Sequence, residues 1–139
     1  MKVSIASVTL QMLFLQLFLA AVNAGLLPHR RTITILNELE NGLDFTVHCK
    51  SKNDDLGEHI VKPKGSYQYG FRPNILRTTL FVCSFSWDAD VHWFNIYDGQ
   101  DPFYNHCSVC IWLVKLGGLC QYNYDTGHFD LCRPWKQDE

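Results

Sequence analysis

The sequence predicts an all-β fold, an antiparallel β-sandwich of about eight short strands that disulfide bonds stabilise. Three observations lead to this prediction. Apolar and polar residues alternate with a period of two in several short runs, which is typical of half-buried strands. No long helical period appears after the first 24 residues, and all six cysteines lie in the remainder of the chain. We therefore expect two packed sheets joined by connections of modest length.

The first 24 residues have the pattern of a secretory signal. A short charged start precedes an apolar run, which ends in small or modest residues before Ala24. This order predicts a cleaved signal peptide over residues 1–24 and a mature protein of one domain over residues 25–139. A membrane anchor is the alternative interpretation, but Gln11 and Gln16 interrupt the run. We expect secretion to the extracellular space without membrane insertion.

The charge of the expected mature chain excludes some classes of partner. Removal of Lys2 leaves 11 Lys and Arg against 14 Asp and Glu, a formal charge of −3. A slightly acidic chain lacks the basic footprint of a nucleic-acid-binding protein. It also lacks the polybasic segments that hold proteins on anionic membranes. The composition leaves the oligomeric state open.

Six cysteines behind a secretory signal predict up to three disulfide bonds. Each disulfide typically contributes about 2–4 kcal/mol, mainly by restricting the unfolded chain. Six cysteines allow 15 pairings, and the sequence does not choose among them. The six are Cys49, Cys83, Cys107, Cys110, Cys120 and Cys132.

Short alternating runs define the predicted strands. They are bounded by turn residues, and Gly117 with Gly118 predicts a hairpin turn between the last two. The eight predicted strands cover residues 32–36, 43–49, 59–61, 67–71, 78–87, 93–97, 109–115 and 119–122.

Aromatic residues are expected to fill the core. The chain has 19 of them, and all but two follow the signal. Buried rings remove large apolar areas from water, so we interpret the tryptophans as core or sheet-edge residues rather than as a ligand platform. The four tryptophans are Trp87, Trp93, Trp112 and Trp135.

Polar loops between the strands are the predicted recognition elements, because loops on a rigid sheet scaffold commonly carry binding specificity. They cover residues 51–58, 72–77, 88–91, 98–106 and 123–129. The candidate recognition residues lie in two of these loops and are Asn53, Asp54, Asp55, Glu58, Asp98, Gln100 and Asp101.

Two clusters raise the question of a metal site. Cys107 and Cys110 have the C-x2-C spacing of zinc ligands, with His106 and His128 nearby. A structural zinc site normally has a second ligand pair at short spacing, and the other cysteines do not supply one. The acidic cluster at residues 53–59 lacks the spacing of a calcium loop. A solvated turn in which Gly57 adopts a positive φ explains that cluster better. We expect neither a metal nor another cofactor.

Histidines raise the possibility of acid–base catalysis, because imidazole exchanges protons near neutral pH. A histidine-dependent hydrolase, such as a secreted ribonuclease that uses His48 and His59, is one alternative function. Neither residue lies in a motif that fixes a catalytic partner, and no G-x-S-x-G elbow occurs. The sequence therefore predicts a non-enzymatic protein. A defence protein that binds microbial glycans or membranes is a further alternative.

Blocks along most of the expected mature chain resemble the plant self-incompatibility protein family, the S-protein homologues. Each block is weakly specific, and their order and spacing carry the resemblance. The blocks are residues 47–52, 54–59, 65–71, 79–87, 94–98, Cys107 with Cys110 and Trp112, 118–120, and 129–135. The chain departs from the family pattern at Asn53, where an acidic residue is common.

The resemblance implies a secreted, disulfide-stabilised β-sandwich that acts as an extracellular signalling ligand. In the poppy system, the founding members are stigma proteins that a pollen-side membrane receptor recognises. The expected partner is therefore an extracellular or plasma-membrane protein receptor. No binding motif of the family can be transferred residue by residue, so the sequence does not identify the residues of the recognition surface.

Overall fold

One helix and nine strands form the part of the chain that the computed structural model describes, which is residues 4–23, 25, 27–101 and 107–136. The helix α1 covers Ile5–Asn23 and has no buried residue. It is long and apolar enough to cross a membrane, and it lies near the N-terminus as a signal sequence does. These features agree with the predicted signal peptide. The cleavage site after Ala24 lies outside the described residues and stays a prediction.

The nine strands confirm the all-β prediction. Their bounds are β1 Arg31–Asn37, β2 Phe45–Lys50, β3 Asp55–Val61, β4 Ser66–Phe71, β5 Leu80–Trp87, β6 Asp90–Asp98, β7 Val109–Lys115, β8 Gly118–Asn123 and β9 His128–Pro134.

The strands form two sheets. The five-stranded sheet has the order β4-β1-β7-β8-β9, and the four-stranded sheet has the order β3-β2-β5-β6. Neighbouring strands are antiparallel, except that β1 and β7 pair in parallel. The predicted antiparallel sandwich is therefore confirmed with one parallel pair inside it. This pair brings residues 32–37 beside residues 109–114, which joins distant parts of the chain at the centre of the sheet.

β9 is an additional strand that the sequence did not predict, and β3 and β6 begin earlier than predicted, in stretches where most side chains are exposed. β6 begins at Asp90 rather than at residue 93, so residues 90 and 91 of the predicted loop at 88–91 lie in a strand. β9 was expected to be a loop up to residue 129, but it begins at His128 and lies at the edge of its sheet. β3 begins at Asp55 rather than at residue 59, because a bulge around Gly57 interrupts the alternation. The Gly57 φ of 74° agrees with the predicted positive value.

The core lies between the sheets and is built from alternate residues of the central strands. In β2 and β5, the predicted inward faces are confirmed, since Phe45, Val47, Phe81 and Phe85 are at most 2% exposed. Trp112 is fully buried at the centre of β7. Trp87 and Trp135 are half-buried against this core, whereas Trp93 is 46% exposed on the edge strand β6. The tryptophans thus fill core and edge positions, with one ring facing solvent.

Three disulfide bonds pair all six cysteines and leave no free thiol. Cys49 and Cys83 join the neighbouring strands β2 and β5, and Cys120 and Cys132 join β8 and β9. The third bond, Cys107–Cys110, joins the segment that leads into β7 to the start of that strand, where Cys110 lies. Each disulfide therefore lies within one sheet or one local segment, and none links the two sheets.

Aromatic rings make the contacts between the sheets. Phe71 of β4 packs on Phe81 of β5, with ring centroids 4.6 Å apart, and on Tyr97 of β6 at 4.8 Å. Farther along the sandwich, Phe94 of β6 meets Trp112 of β7 edge to face at 5.1 Å. Edge-to-face ring pairs stabilise packing beyond the area that they bury. These contacts fix the position of one sheet on the other.

Trp135 fastens the chain end that follows β9 to the opposite sheet. Its ring centroid lies 5.3 Å from that of Phe85 and 5.8 Å from that of Trp87, both in β5. Its indole Nε1 donates a hydrogen bond of 2.9 Å to the carbonyl oxygen of Leu116 in the β7–β8 turn. One side chain thus connects the edge of the five-stranded sheet with the four-stranded sheet.

A buried amide connects the ends of β1 and β3. Asn37 is 1% exposed, and its Nδ2 donates to the carbonyl oxygens of Leu43 at 2.8 Å and Val61 at 3.0 Å. Its Oδ1 accepts from the amide of Leu39 at 3.0 Å. Because every polar atom of the side chain has a partner, the amide is stabilising although it is buried.

Replacing Asn37 is expected to destabilise the fold strongly. Asn37→Ala leaves two carbonyl oxygens and one amide without their partner, which costs about 2–4 kcal/mol in the free energy of unfolding. Chemical denaturation of the oxidised protein measures this change. Asn41→Ala is the control, since Asn41 Oδ1 accepts only one exposed hydrogen bond, and it should change the same quantity by less than about 1 kcal/mol. Equal effects of the two substitutions would contradict the assignment.

Trp135→Ala should lower stability more than Trp93→Ala. The first substitution removes ring packing between the sheets and the hydrogen bond to Leu116, which costs about 2–3 kcal/mol. The second removes an exposed ring and should cost less than about 1 kcal/mol. Thermal unfolding monitored by near-ultraviolet circular dichroism compares the two variants. A larger effect at position 93 would show that Trp135 does not fasten the sheets.

Candidate recognition surface

Four connections meet at one end of the sandwich, which we call the loop end. They comprise residues 51–54, 72–79, 98–101 and 124–127. In the four-stranded sheet, Lys50 at the end of β2 pairs with Val82, and Asp98 at the end of β6 pairs with Leu80. The segments that follow β2 and β6 therefore emerge beside the start of β5.

The other sheet contributes to the same end. β4 ends at Phe71, whose ring packs near the start of β5, so the connection from β4 to β5 lies here. β7 begins beside the start of β1, and β8 ends where β7 begins. The β8–β9 turn at residues 124–127 is therefore also part of the loop end.

The structure brings five of the seven candidate recognition residues to the loop end. Asn53 and Asp54 are exposed in the turn that follows β2. Asp98 ends β6 and accepts a hydrogen bond from the amide of Gln100, which is exposed. Asp101 forms an ion pair of 3.2 Å with Arg133. Residues 102–106 of the predicted loop at 98–106 lie outside the described residues.

Local hydrogen bonds shape the first of these turns. The amide of Ser51 donates to the carbonyl oxygen of Asp54 at 2.8 Å, and the amide of Asp54 donates to Ser51 Oγ at 3.1 Å. Both bonds use the backbone of Asp54, so its carboxylate does not hold the turn in place. The side chains of Asn53 and Asp54 are therefore available for a partner.

Asp55 and Glu58 differ from the loop prediction because they lie in β3. Asp55 Oδ1 is 2.5 Å from His48 Nε2, accepts the amide of Gly57 at 3.0 Å, and its other oxygen is 3.9 Å from Lys50 Nζ. The hydrogen bond from His48, followed by that from Gly57, lowers the pKa of Asp55. This carboxylate fixes the bulge of β3, which is a structural role.

The two histidines of the hydrolase alternative do not share a site. His48 pairs with Glu58 across β2 and β3, whereas the next pair joins buried Val47 to His59. Since successive residues of a strand point to opposite faces, the imidazoles project to opposite sides of the sheet. His59 stacks on Tyr67 of the other sheet at 4.2 Å.

The zinc interpretation of Cys107 and Cys110 is wrong, because the two sulfurs are bonded to each other. Of the nearby histidines, His106 lies outside the described residues and His128 is exposed at the start of β9. Within the described ranges, no group of three His, Cys, Asp or Glu residues could hold a metal ion.

Sequence reasoning missed the most exposed apolar residues of the loop end. Ile75 is 66% exposed and Leu76 is 78% exposed, and both lie in the connection from β4 to β5. We call these two residues the tip pair. The sequence signal was present, because two adjacent aliphatic residues interrupt an otherwise polar loop.

Charged residues flank the tip pair in the sequence and occur elsewhere at the loop end. Arg72 and Arg77 are exposed on either side of it, with Arg72 Nη1 donating to the carbonyl oxygen of Pro28 at 3.1 Å. Exposed carboxylates of Asp54 and Asp125 lie in other connections of the loop end. Patterned charge around an apolar centre is the usual anatomy of a specific protein interface.

Comparison with known proteins agrees with the fold. A family model described as Plant self-incompatibility protein S1 matches residues 32–135. S-protein homolog 5 of Arabidopsis thaliana is 42% identical over 113 residues, which are 81% of this chain and 84% of that protein. S-protein homolog 2 of the same plant is 38% identical over 125 residues, which are 85% and 76% of the two chains.

One solved structure has the same architecture. It is described as "Structure of SPH (Self-Incompatibility Protein Homologue) proteins, a widespread family of small, highly stable, secreted proteins from plants". Its TM-score is 0.54 at 16% sequence identity, and the match covers 79% of this chain and 97% of the solved chain. At this identity, the likeness shows the fold.

The contact between His48 and Asp55 should be lost in acid. Because the pKa of Asp55 is lowered from its ordinary value of 3.8, the stabilisation is present above pH 3.8 and disappears as pH falls through the lowered value. An NMR titration of the Gly57 amide should report this transition. Asp55→Asn should abolish it and Asp54→Asn should preserve it. A Gly57 amide that titrates identically in both variants would contradict the assignment.

Proposed function

The chain belongs to the plant self-incompatibility protein S1 family, and we propose that it is a secreted recognition ligand that docks its loop end onto a protein receptor at the plasma membrane. The observation that carries this proposal is the meeting of four connections from both sheets at one end of a rigid sandwich. A specific protein complex needs about 800 Å² from each partner. Four adjacent connections can supply an area of that order.

Secretion is supported by two features of the chain. The apolar helix α1 at the N-terminus has the length and character of a signal sequence. All six cysteines are paired, which is typical of proteins that mature in an oxidising compartment. The solved relative with the same fold is itself described as secreted.

Binding is favoured over catalysis by the arrangement of reactive groups. The pairing of every cysteine removes the thiol nucleophiles. His48 and His59, the residues of the hydrolase alternative, lie on opposite faces of one sheet. The glycan-binding alternative needs adjacent exposed rings; Tyr124, which is 58% exposed, packs on half-buried Tyr122 at 4.8 Å, so these rings are where that alternative would be tested.

Charge reversal at the loop end should weaken receptor binding. The double variant Asn53→Lys, Asp54→Lys retains the hydrogen bonds that the backbone of Asp54 makes in its turn. It makes the local charge more positive by three units, two at position 54 and one at position 53. We expect at least about a tenfold increase in Kd, equivalent to about 1.4 kcal/mol. The measurement is saturable binding of the fluorescently labelled, oxidised mature protein to protoplasts of the source plant.

Asp90→Lys is the matched control for this experiment. Asp90 is exposed at the start of β6, at the opposite end of the sandwich, so the variant makes the same kind of charge change away from the loop end. It should bind as the unaltered protein does. The proposal fails if no saturable binding to protoplasts is found, or if Asp90→Lys weakens binding as much as the loop-end variant.

A further inference from the structure

The connection between β4 and β5 is ordered by local hydrogen bonds although it carries apolar residues into solvent. Asn74 closes the connection into a hydrogen-bonded ring. Its backbone amide donates to Thr79 Oγ1 at 2.9 Å, and its side-chain Oδ1 accepts a hydrogen bond of 2.8 Å from the backbone amide of Thr78. Asn74 Nδ2 also donates to Thr78 Oγ1 at 2.6 Å. The carbonyl oxygen of Thr79 accepts a hydrogen bond of 2.8 Å from the amide of Gly99, which ties the ring to the connection after β6.

The ring holds the tip pair in a defined position. Leu76, at 78%, is the most exposed large apolar side chain among the described residues that follow α1, and Ile75 is nearly as exposed at 66%. Exposed aliphatic side chains lose no contact with their own fold when they enter a partner. Because hydrogen bonds already order the backbone beneath them, binding would cost little additional conformational entropy. These properties are those of an anchor at the centre of an interface.

The surrounding charges indicate the chemistry of the partner. Arg72 and Arg77 flank the tip pair and favour negative charge on the surface that receives it. The exposed carboxylates of Asp54 and Asp125 lie at the same end. A uniformly anionic bilayer would attract the arginines but repel these carboxylates, whereas a protein can place acidic groups opposite the arginines alone.

We propose that the tip pair enters an apolar cleft with an acidic rim on the receptor protein. This inference rests on the proposed function and identifies the residues that anchor the complex. It assigns the central contact to Ile75 and Leu76, and it gives Arg72 and Arg77 the role of orienting the tip pair toward the cleft.

The test uses the same labelled protein and protoplast binding as above. The double variant Ile75→Ser, Leu76→Ser should raise Kd by at least about tenfold. Ile60→Ser is the matched control, because Ile60 is 68% exposed on β3 and lies outside the loop end, and it should leave Kd unchanged. Thermal unfolding should show that both variants retain the fold.

Two further variants test the ordering of the loop by Asn74 and the electrostatic role of Arg77 separately from the apolar contact of the tip pair. Asn74→Ala keeps the tip pair but opens the ring, so it should raise Kd by less than the double variant does. Arg77→Glu should slow association and reduce the dependence of the association rate on salt. If Arg77→Glu binds with unchanged kinetics, the acidic rim is wrong. If Asn74→Ala binds as tightly as the unaltered protein, preorganisation of the tip is wrong.

Two controls distinguish a protein cleft from a lipid surface. Treatment of the protoplasts with protease should abolish binding, and vesicles of phosphatidylcholine with phosphatidylserine should bind neither the unaltered protein nor the double variant. Binding to vesicles that depends on the tip pair would overturn the inference in favour of a membrane. Protease-sensitive binding that the double variant retains in full would overturn the inference while the proposed function stands. Absence of binding by the unaltered protein would overturn both.

Discussion

The packing of aromatic rings between the two sheets is the contact on which the rest of the structure depends. The disulfides reinforce pairs of neighbouring strands or a local segment, so they resist unfolding without fixing how the sheets sit on each other. That position depends on contacts such as Phe71 with Phe81 and Phe94 with Trp112, and on the fastening of the chain end by Trp135. The disulfides mainly limit the freedom of the unfolded chain, whereas the rings determine the native geometry.

The separate roles of the disulfides and the aromatic rings matter for recognition because the loop end is assembled from both sheets. The turn at residues 51–54 and the segment at residues 98–101 follow strands of the four-stranded sheet, whereas residues 124–127 connect strands of the other sheet. Residues 72–79 pass from one sheet to the other. A displacement between the sheets would therefore move the four connections relative to one another, so the ring contacts near Phe71 also hold the proposed binding surface together.

Much of the fold could be predicted from the sequence because period-two alternation reports directly which strands have one buried face. The strand around Phe45 and Val47 shows this clearly. β9 escaped prediction because an edge strand with exposed side chains has little apolar contrast. The disulfide pairing could not be predicted either, since it depends on the register that places Cys49 opposite Cys83. Register is a property of the assembled sheet rather than of any local segment.

The candidate site was predicted only in part, for a physical reason that also explains how such a surface can function. Polar residues such as Asn53 and Asp54 are expected in exposed turns, so sequence reasoning selected them. An aliphatic pair is expected to be buried, and Ile75 and Leu76 are exposed because Asn74 and the threonines satisfy the backbone of their loop, while buried Pro73 holds the start of the connection. The side-chain hydrogen bonds that shape the loop thus do not use the side chains of the tip pair. Substitutions at the tip can therefore change the partner while the sandwich and its stability stay the same.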